Sequence, residues 1–280
     1  TLQEPRAGDV KLLQLSVFDR TIGLQCEGAG VPELILAAYG CLATPPGGTL
    51  DISYSLGQAN AGAGFFVAKA GQERLLAQDV AEFLFLFEKD LTIELQLRRR
   101  DLFFIHAAAV EYGGKAAIIA APSGTGKSTT TWGLLHEGFR YLSDELAPVD
   151  LEGMAVYPYP HALCLKSDPP SPYTLPAATL RTTETLHIPV KFLPAEAVMK
   201  PTPLAALFFL NRDASGKGCQ VREISMGKAA ARLLANALNP LAHHGDGLDA
   251  AIYIAQQAHC YELQVSDLTQ VSSVIRKVLA

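Results

Sequence analysis

The pattern of apolar and polar positions changes character along the chain. Val10 to Val17, rich in apolar residues broken by single polar ones, predicts a strand, as do residues 49–55 and 63–69. Pro45-Pro46-Gly47-Gly48 punctuates this stretch, and residues 32–42 predict a short helix. From Asp79 to Arg100 the apolar residues move to helical spacing, with Val80, Phe83, Leu84 and Phe87 recurring on one face. That predicts a long helix linking two parts of the chain. Phe103 to Tyr112 then reads as a strand, Gly113-Gly114 as a two-residue turn, and Lys115 to Ala120 as a second, wholly apolar strand. A helix from Lys127 to about Glu137, a strand at Arg140 to Leu142 and a turn at 151–154 follow. The proline-rich stretch 158–203 predicts short strands inside long loops, the kind of segment that shapes substrate grooves. Strands at 204–210, 219–224 and 260–265, with helices near 225–238, near 246–258 and from 267, complete the chain. The expected fold class is mixed α/β (α+β), with a smaller N-terminal α+β accessory unit over 1–100 and a second unit over 101–280.

Composition narrows the class of function. The chain has 280 residues, 49% of them hydrophobic and 18% charged, which suits a globular protein with a large core. The 23 basic and 28 acidic side chains leave a net charge of −5. A chain of this balance lacks the basic surface that displaces counterions from phosphate backbones, so no nucleic-acid partner is expected. Arg98-Arg99-Arg100 is the one basic run and reads as a solvated helix end. Five widely spaced cysteines (Cys26, Cys41, Cys164, Cys219 and Cys260) form no C-x-x-C pair and read as reduced core residues. No charged-then-apolar leader is visible. Apolar runs such as Leu204 to Leu210 fall far short of the ~20 residues that span a bilayer, so no membrane partner and a cytoplasmic location are expected.

The most informative segment is Ala121-Pro122-Ser123-Gly124-Thr125-Gly126-Lys127-Ser128. It matches the phosphate-binding P-loop, with Ala121 in place of the usual leading glycine. Its context is a buried strand that runs into a tight turn and opens a helix. Gly124 and Gly126 let successive N–H groups curl toward phosphate oxygens, and the helix N-terminus adds partial positive charge. Pro122, Ser123, Gly124, Thr125, Gly126, Lys127, Ser128 and Thr129 would carry the phosphates of ATP. Lys127 would reach the β- and γ-phosphates, and Ser128 would hold a Mg²⁺.

Sixteen residues after Ser128 stands Ser143-Asp144-Glu145. A carboxylate at the end of a strand beside a P-loop reaches the magnesium ion, and a second one accepts a proton from an attacking hydroxyl. Successive residues of a strand face opposite sides, so one of the pair faces the phosphates. Asp144 is assigned as the base and Glu145 as the metal ligand, with Asp144 the alternative ligand. His106, on the first hairpin strand, folds back near the loop, either as a core histidine or as a phosphate contact or proton relay.

The order histidine, apolar strand, P-loop, helix, acid pair resembles the catalytic core of HPr serine kinase/phosphorylase. It resembles more closely the HPr-kinase-related kinases found near peptide-modification genes. The segments that carry the resemblance are Ile105 to Val110, the loop itself and Gly138 to Glu145. Tyr157 to Lys166 is similar to a further segment of that group, and Phe208 to Arg212 to its strand-ending arginine. The resemblance implies a phosphoenolpyruvate-carboxykinase-like nucleotide fold over 101–280. It also implies ATP- and Mg²⁺-dependent phosphoryl transfer to a serine of a peptide or protein. Lys166 and Arg212 would neutralise phosphate charge, or else stand as solvated strand-end charges. Three departures stand out: the acid pair is Asp-Glu rather than Asp-Asp, Ala121 leads the loop, and the glutamate–arginine signature of true HPr kinases has no clear copy. The last argues against HPr itself as acceptor and against the reverse phosphorolysis. A nucleotide sensor without turnover, a hydrolytic P-loop NTPase and a small-molecule kinase are the alternatives. A homo-oligomer stays open, and residues 1–100 are expected to serve acceptor docking or dimerisation.

Overall fold

The computed structural model describes residues 10–59, 64–212 and 218–280. Residue 63, at the start of the expected 63–69 strand, lies outside them. The elements in chain order are β1 (Val10–Val17), β2 (Arg20–Glu27), α1 (Val31–Tyr39), β3 (Ala43–Thr44), β4 (Ile52–Gln58), β5 (Phe65–Lys69), β6 (Leu75–Ala77) and α2 (Val80–Arg98). Next come β7 (Leu102–Tyr112), β8 (Lys115–Ala120), α3 (Lys127–His136), β9 (Arg140–Ser143), β10 (Leu146–Asp150), β11 (Ala155–Val156), β12 (Leu163–Leu165), β13 (Leu180–Arg181) and β14 (Leu186–Ile188). The last are β15 (Thr202–Arg212), β16 (Cys219–Glu223), α4 (Met226–Ala235), α5 (Leu248–Gln257), β17 (His259–Val265) and α6 (Val271–Leu279).

β1 to β6 form one six-stranded sheet in the order β3-β1-β2-β4-β5-β6. α2 packs on it because Phe83, Leu84, Phe87, Leu91 and Leu95 recur once per turn and are all buried. Its start is fixed by the Asp79 carboxylate, which accepts the Glu82 N–H at 2.9 Å, a cap typically worth about 0.5–2 kcal/mol. The larger sheet runs β11-β10-β7-β8-β15-β17-β16, with β8, β15 and β17 parallel to one another. β8 reads as an unbroken apolar run because both of its faces are covered. Ala116, Ile118 and Ala120 join a core with Leu233 of α4 and Ile254 of α5, while Ala117 and Ile119 join one with Leu134 of α3 and Ile275 of α6. The result is a mixed α/β architecture with a helix layer on each face of the main sheet.

Several sequence expectations shift. β2, β6 and β10 carry no clean sequence signal and are strands because partners pair with them: β1 and β4 flank β2, and β7 takes β10. The 49–55 strand lies at 52–58, since the register of β4 against β2 starts at Ile52. The final helix begins at Val271, after a short 3₁₀ turn over Leu268–Gln270. Arg99 corrects the reading of a solvated basic run. It is 7% exposed, donates to the Phe18 carbonyl at 2.5 Å, and pairs with Asp101 at 2.7 Å and Asp19 at 3.1 Å. It therefore ties the first hairpin to the start of β7. The two parts of the chain also share one core, which joins Leu15, Phe83 and Phe87 to Phe104, Leu146 and Tyr159. The Ala162 N–H bonds the Ala38 carbonyl at 2.7 Å across the same seam. All five cysteines are free, with Cys26 and Cys260 buried. Among the described residues no helix is long and apolar enough to cross a membrane.

Candidate nucleotide and acceptor site

The hairpin register brings the first candidate residues together. Ala107 pairs with Ala120, so His106 stands one step further along, level with the start of the 121–128 loop. The loop curls through two left-handed glycines, Gly124 at φ 81° and Gly126 at φ 107°. Gly126 is the N-cap of α3, and no side chain caps that helix, so its leading N–H groups are open to an anion. Lys127 is buried, and its Nζ donates to the Ala121 carbonyl at 3.0 Å. Desolvation lowers its pKa, with Glu145 and Asp144 opposing that shift. A neutral carbonyl is a weak partner for an ammonium, so a phosphate oxygen would compete well for it. Lys166, at the end of β12, reaches the loop and donates to the Ser123 hydroxyl at 3.1 Å. Arg212 is exposed at the end of β15, on the same edge of the sheet, because β15 runs parallel to β8 with Phe209 opposite Ala120.

The acid pair sits at a break in the sheet. β9 and β10 both pair with β7, β9 along Ala109–Glu111 and β10 along Leu102–His106. Asp144 and Glu145 are the two residues between them. The Ser143 hydroxyl oxygen accepts the Leu146 N–H at 3.1 Å and the Glu145 N–H at 3.3 Å, which holds the kink. The kink sends the two carboxylates into different surroundings. Asp144 is 0% exposed, and its oxygens accept the Tyr141 hydroxyl at 2.7 Å and the Cys164 N–H at 2.9 Å. Glu145 keeps 40% of its side chain exposed and contacts His106 Nε2 at 3.0 Å through its Oε2.

This division runs against the sequence assignment of Asp144 as the base. A buried carboxylate with both oxygens engaged offers no surface to an incoming hydroxyl, whereas Glu145 does. Burial raises the pKa of Asp144. Burial works the same way on Glu145, but the hydrogen bond and charge of His106 more than reverse it, holding Glu145 below the usual carboxylate range. Glu145 is thus ionised at neutral pH.

Sequence reasoning missed the buried cation behind this pair. His161 is 2% exposed; its Nδ1 donates to the Ala162 carbonyl at 2.6 Å and lies 3.7 Å from Asp144. Its Nε2 lies 3.0 Å from Glu88 of α2, an ion-pair contact off the line of a hydrogen bond. Burial works to lower the His161 pKa, yet Glu88, with Asp144 behind it, brings it up to about 10. The only sequence signal was a histidine ending Tyr-Pro-Tyr-Pro, and nothing in α2 marked Glu88 as its partner.

Among the described residues no three His, Cys, Asp or Glu side chains converge as a metal cage. Ser128, half-buried in the first turn of α3, and Glu145 are hard oxygen donors of the kind that could hold a Mg²⁺.

No protein-family model matches the chain. No curated protein matches it either. Among solved structures, it is similar to the Hpr(Ser) kinase/phosphatase from Coxiella burnetii at 11% identity and a TM-score of 0.30, over 63% of this chain and 93% of that one.

Proposed function

We propose that this protein is an ATP- and Mg²⁺-dependent kinase that transfers the γ-phosphoryl group to a serine hydroxyl of a peptide or protein. The observation that carries this reading is one line of groups along a single sheet edge. Glu145 with His106 stands on one side of the phosphate loop and Arg212 on the other, and Lys166 lies against Ser123. The loop alone fits any P-loop protein. A reachable carboxylate beside it, hydrogen-bonded to a histidine, supports transfer to an alcohol.

In this reading the loop N–H groups and Lys127 hold the triphosphate, and Lys166 and Arg212 balance charge on the leaving oxygens. Ser128 and Glu145 would hold a magnesium ion, which would supply charge neutralisation on the phosphates. Glu145, oriented by His106, takes the proton of the acceptor hydroxyl. The serine oxygen forms a bond to the γ-phosphorus, the bond to the bridging oxygen breaks, and ADP leaves. Most of the acceleration comes from positioning and charge stabilisation. Asp144 acts as a positioning residue, since it holds the Cys164 N–H and with it the strand that leads into Lys166.

The test is incubation of the full chain with Mg²⁺, γ-labelled ATP and a pool of serine peptides. Label on serine is the expected result. Free phosphate alone would assign a hydrolytic NTPase. A melting-temperature rise with ATP but no turnover would assign a sensor.

A further inference from the structure

A cleft of about 850 Å³ opens from the candidate site and runs between the two parts of the chain. Glu145, His106 and Lys166 form its catalytic end. Its far wall is α2, which contributes residues from Asp79 to Thr92. At 1.5 Å per residue that wall is roughly 20 Å long. An extended peptide rises about 3.3 Å per residue, so the wall matches about six residues of chain. Such a length exceeds what a small metabolite with one hydroxyl would use.

The lining at that end has a definite chemistry. Asp79 at the start of α2 and Glu82 within it face Glu184 from the loop before β14, against one cation, Lys89, while Glu88 is already paired with His161. The Asp79 carboxyl is held below its usual pKa by the Glu82 N–H it accepts, so it stays ionised. The lining also carries exposed apolar surface: Phe85 is 61% exposed and Leu238 is 43% exposed. The catalytic end carries the opposite balance, with Lys127 and Lys166 facing the phosphate position.

We propose that this cleft binds the acceptor as an extended, basic and apolar peptide segment, with its serine at Glu145 and its arginine or lysine and leucine-like side chains along α2. The inference rests on the kinase reading for the fate of the serine, but its recognition chemistry is measurable without transfer. Charge complementarity favours this occupant. An acidic segment would set like charges against Asp79, Glu82 and Glu184, and a wholly apolar one would take their charge out of water with no opposite charge in return.

The probe is a set of short synthetic peptides with one serine, identical except that flanking arginines are replaced by glutamates, or leucines by serines. Binding to the full chain is read by fluorescence anisotropy without nucleotide. The arginine–leucine peptide should bind at least about tenfold more tightly than its glutamate twin, as several weak charge pairs together allow. Glu184→Lys, on an exposed loop, should narrow that ratio and strengthen the glutamate twin. Phe85→Ser should weaken the leucine peptides alone. Equal binding of the basic and acidic peptides, or no binding of any of them, overturns the proposal. Tight binding of the basic peptide without label transfer from ATP supports the cleft and overturns the kinase reading. Label on serine without any charge preference does the reverse.

Discussion

The two ends of the cleft are built differently. The phosphate end comes from contiguous chain: β7, a two-residue turn, β8, the loop and α3 occupy residues 102 to 136 without interruption. The acceptor end is assembled from α2, the 183–187 segment and Leu238, which are remote in sequence. Phosphate groups are the same in every nucleotide, so a local backbone device suffices to grip them. In the proposed reading an acceptor differs from protein to protein, so its recognition would fall to surfaces that folding brings together.

The same contrast recurs between Asp144 and Glu145, adjacent residues that the kink after β9 sends to opposite surroundings. Exchanging their roles is the strongest way to break the reading. Glu145→Gln should retain ATP binding but lose transfer by about 10²–10⁴-fold in a labelled-phosphate assay. Asp144→Asn should leave the accessible base in place and show itself in stability instead. One donor, Tyr141 Oη or Cys164 N–H, would then face an amide NH₂ rather than an oxygen, at a cost of about 1–3 kcal/mol in urea unfolding. Full transfer by Glu145→Gln, with Asp144→Asn stable but inactive, would restore the order read from sequence.

Next in size is Lys127→Met. Loss of one cation aimed at developing charge should cost about 10²–10³-fold in transfer. The unliganded protein should melt no lower, because the ammonium is buried on a single carbonyl and methionine is relieved of that desolvation.

The seam between the ends can be sharpened by pH. The folded-state pKa of His161, about 10, lies above the ~6.5 of an unfolded histidine, so folding favours the protonated form. The stability this supplies is complete below about pH 6.5 and is lost as pH rises through about 10. Urea midpoints should therefore fall over that window in the wild type and fall less in His161→Gln. Equal pH slopes would remove the Glu88–His161–Asp144 contact from the account.

The smallest effect belongs to the loop itself. Gly126→Ala meets no atom within 4 Å of the added Cβ, so its cost is only that of a left-handed backbone, about 1–3 kcal/mol. ATP-induced stabilisation should shrink, while unfolding of the remainder stays cooperative.

Much of the local structure around the loop was legible in advance. The strand readings over 103–112 and 115–120 match β7 and β8, and two glycines turn the chain between them. The long helix was legible from the spacing of Val80, Phe83, Leu84 and Phe87. β2 and β10 were not, because their strand state comes from neighbours on both flanks rather than from their own residues. Arg99 was misread as solvated because its partners, Phe18 and Asp19, lie some eighty positions away in the chain.

The amino-acid sequence by itself determined the local devices: the hairpin, the curled loop, the amphipathic α2 and the presence of an acid pair at a strand end. Each of these follows from periodicity or from glycine conformations, which act within a few residues. Only the tertiary structure decided which acid is reachable, which histidine carries a buried charge, and that α2 closes a cleft over the site. Those properties depend on burial and on the distance between charges, and neither exists until remote segments have packed against each other.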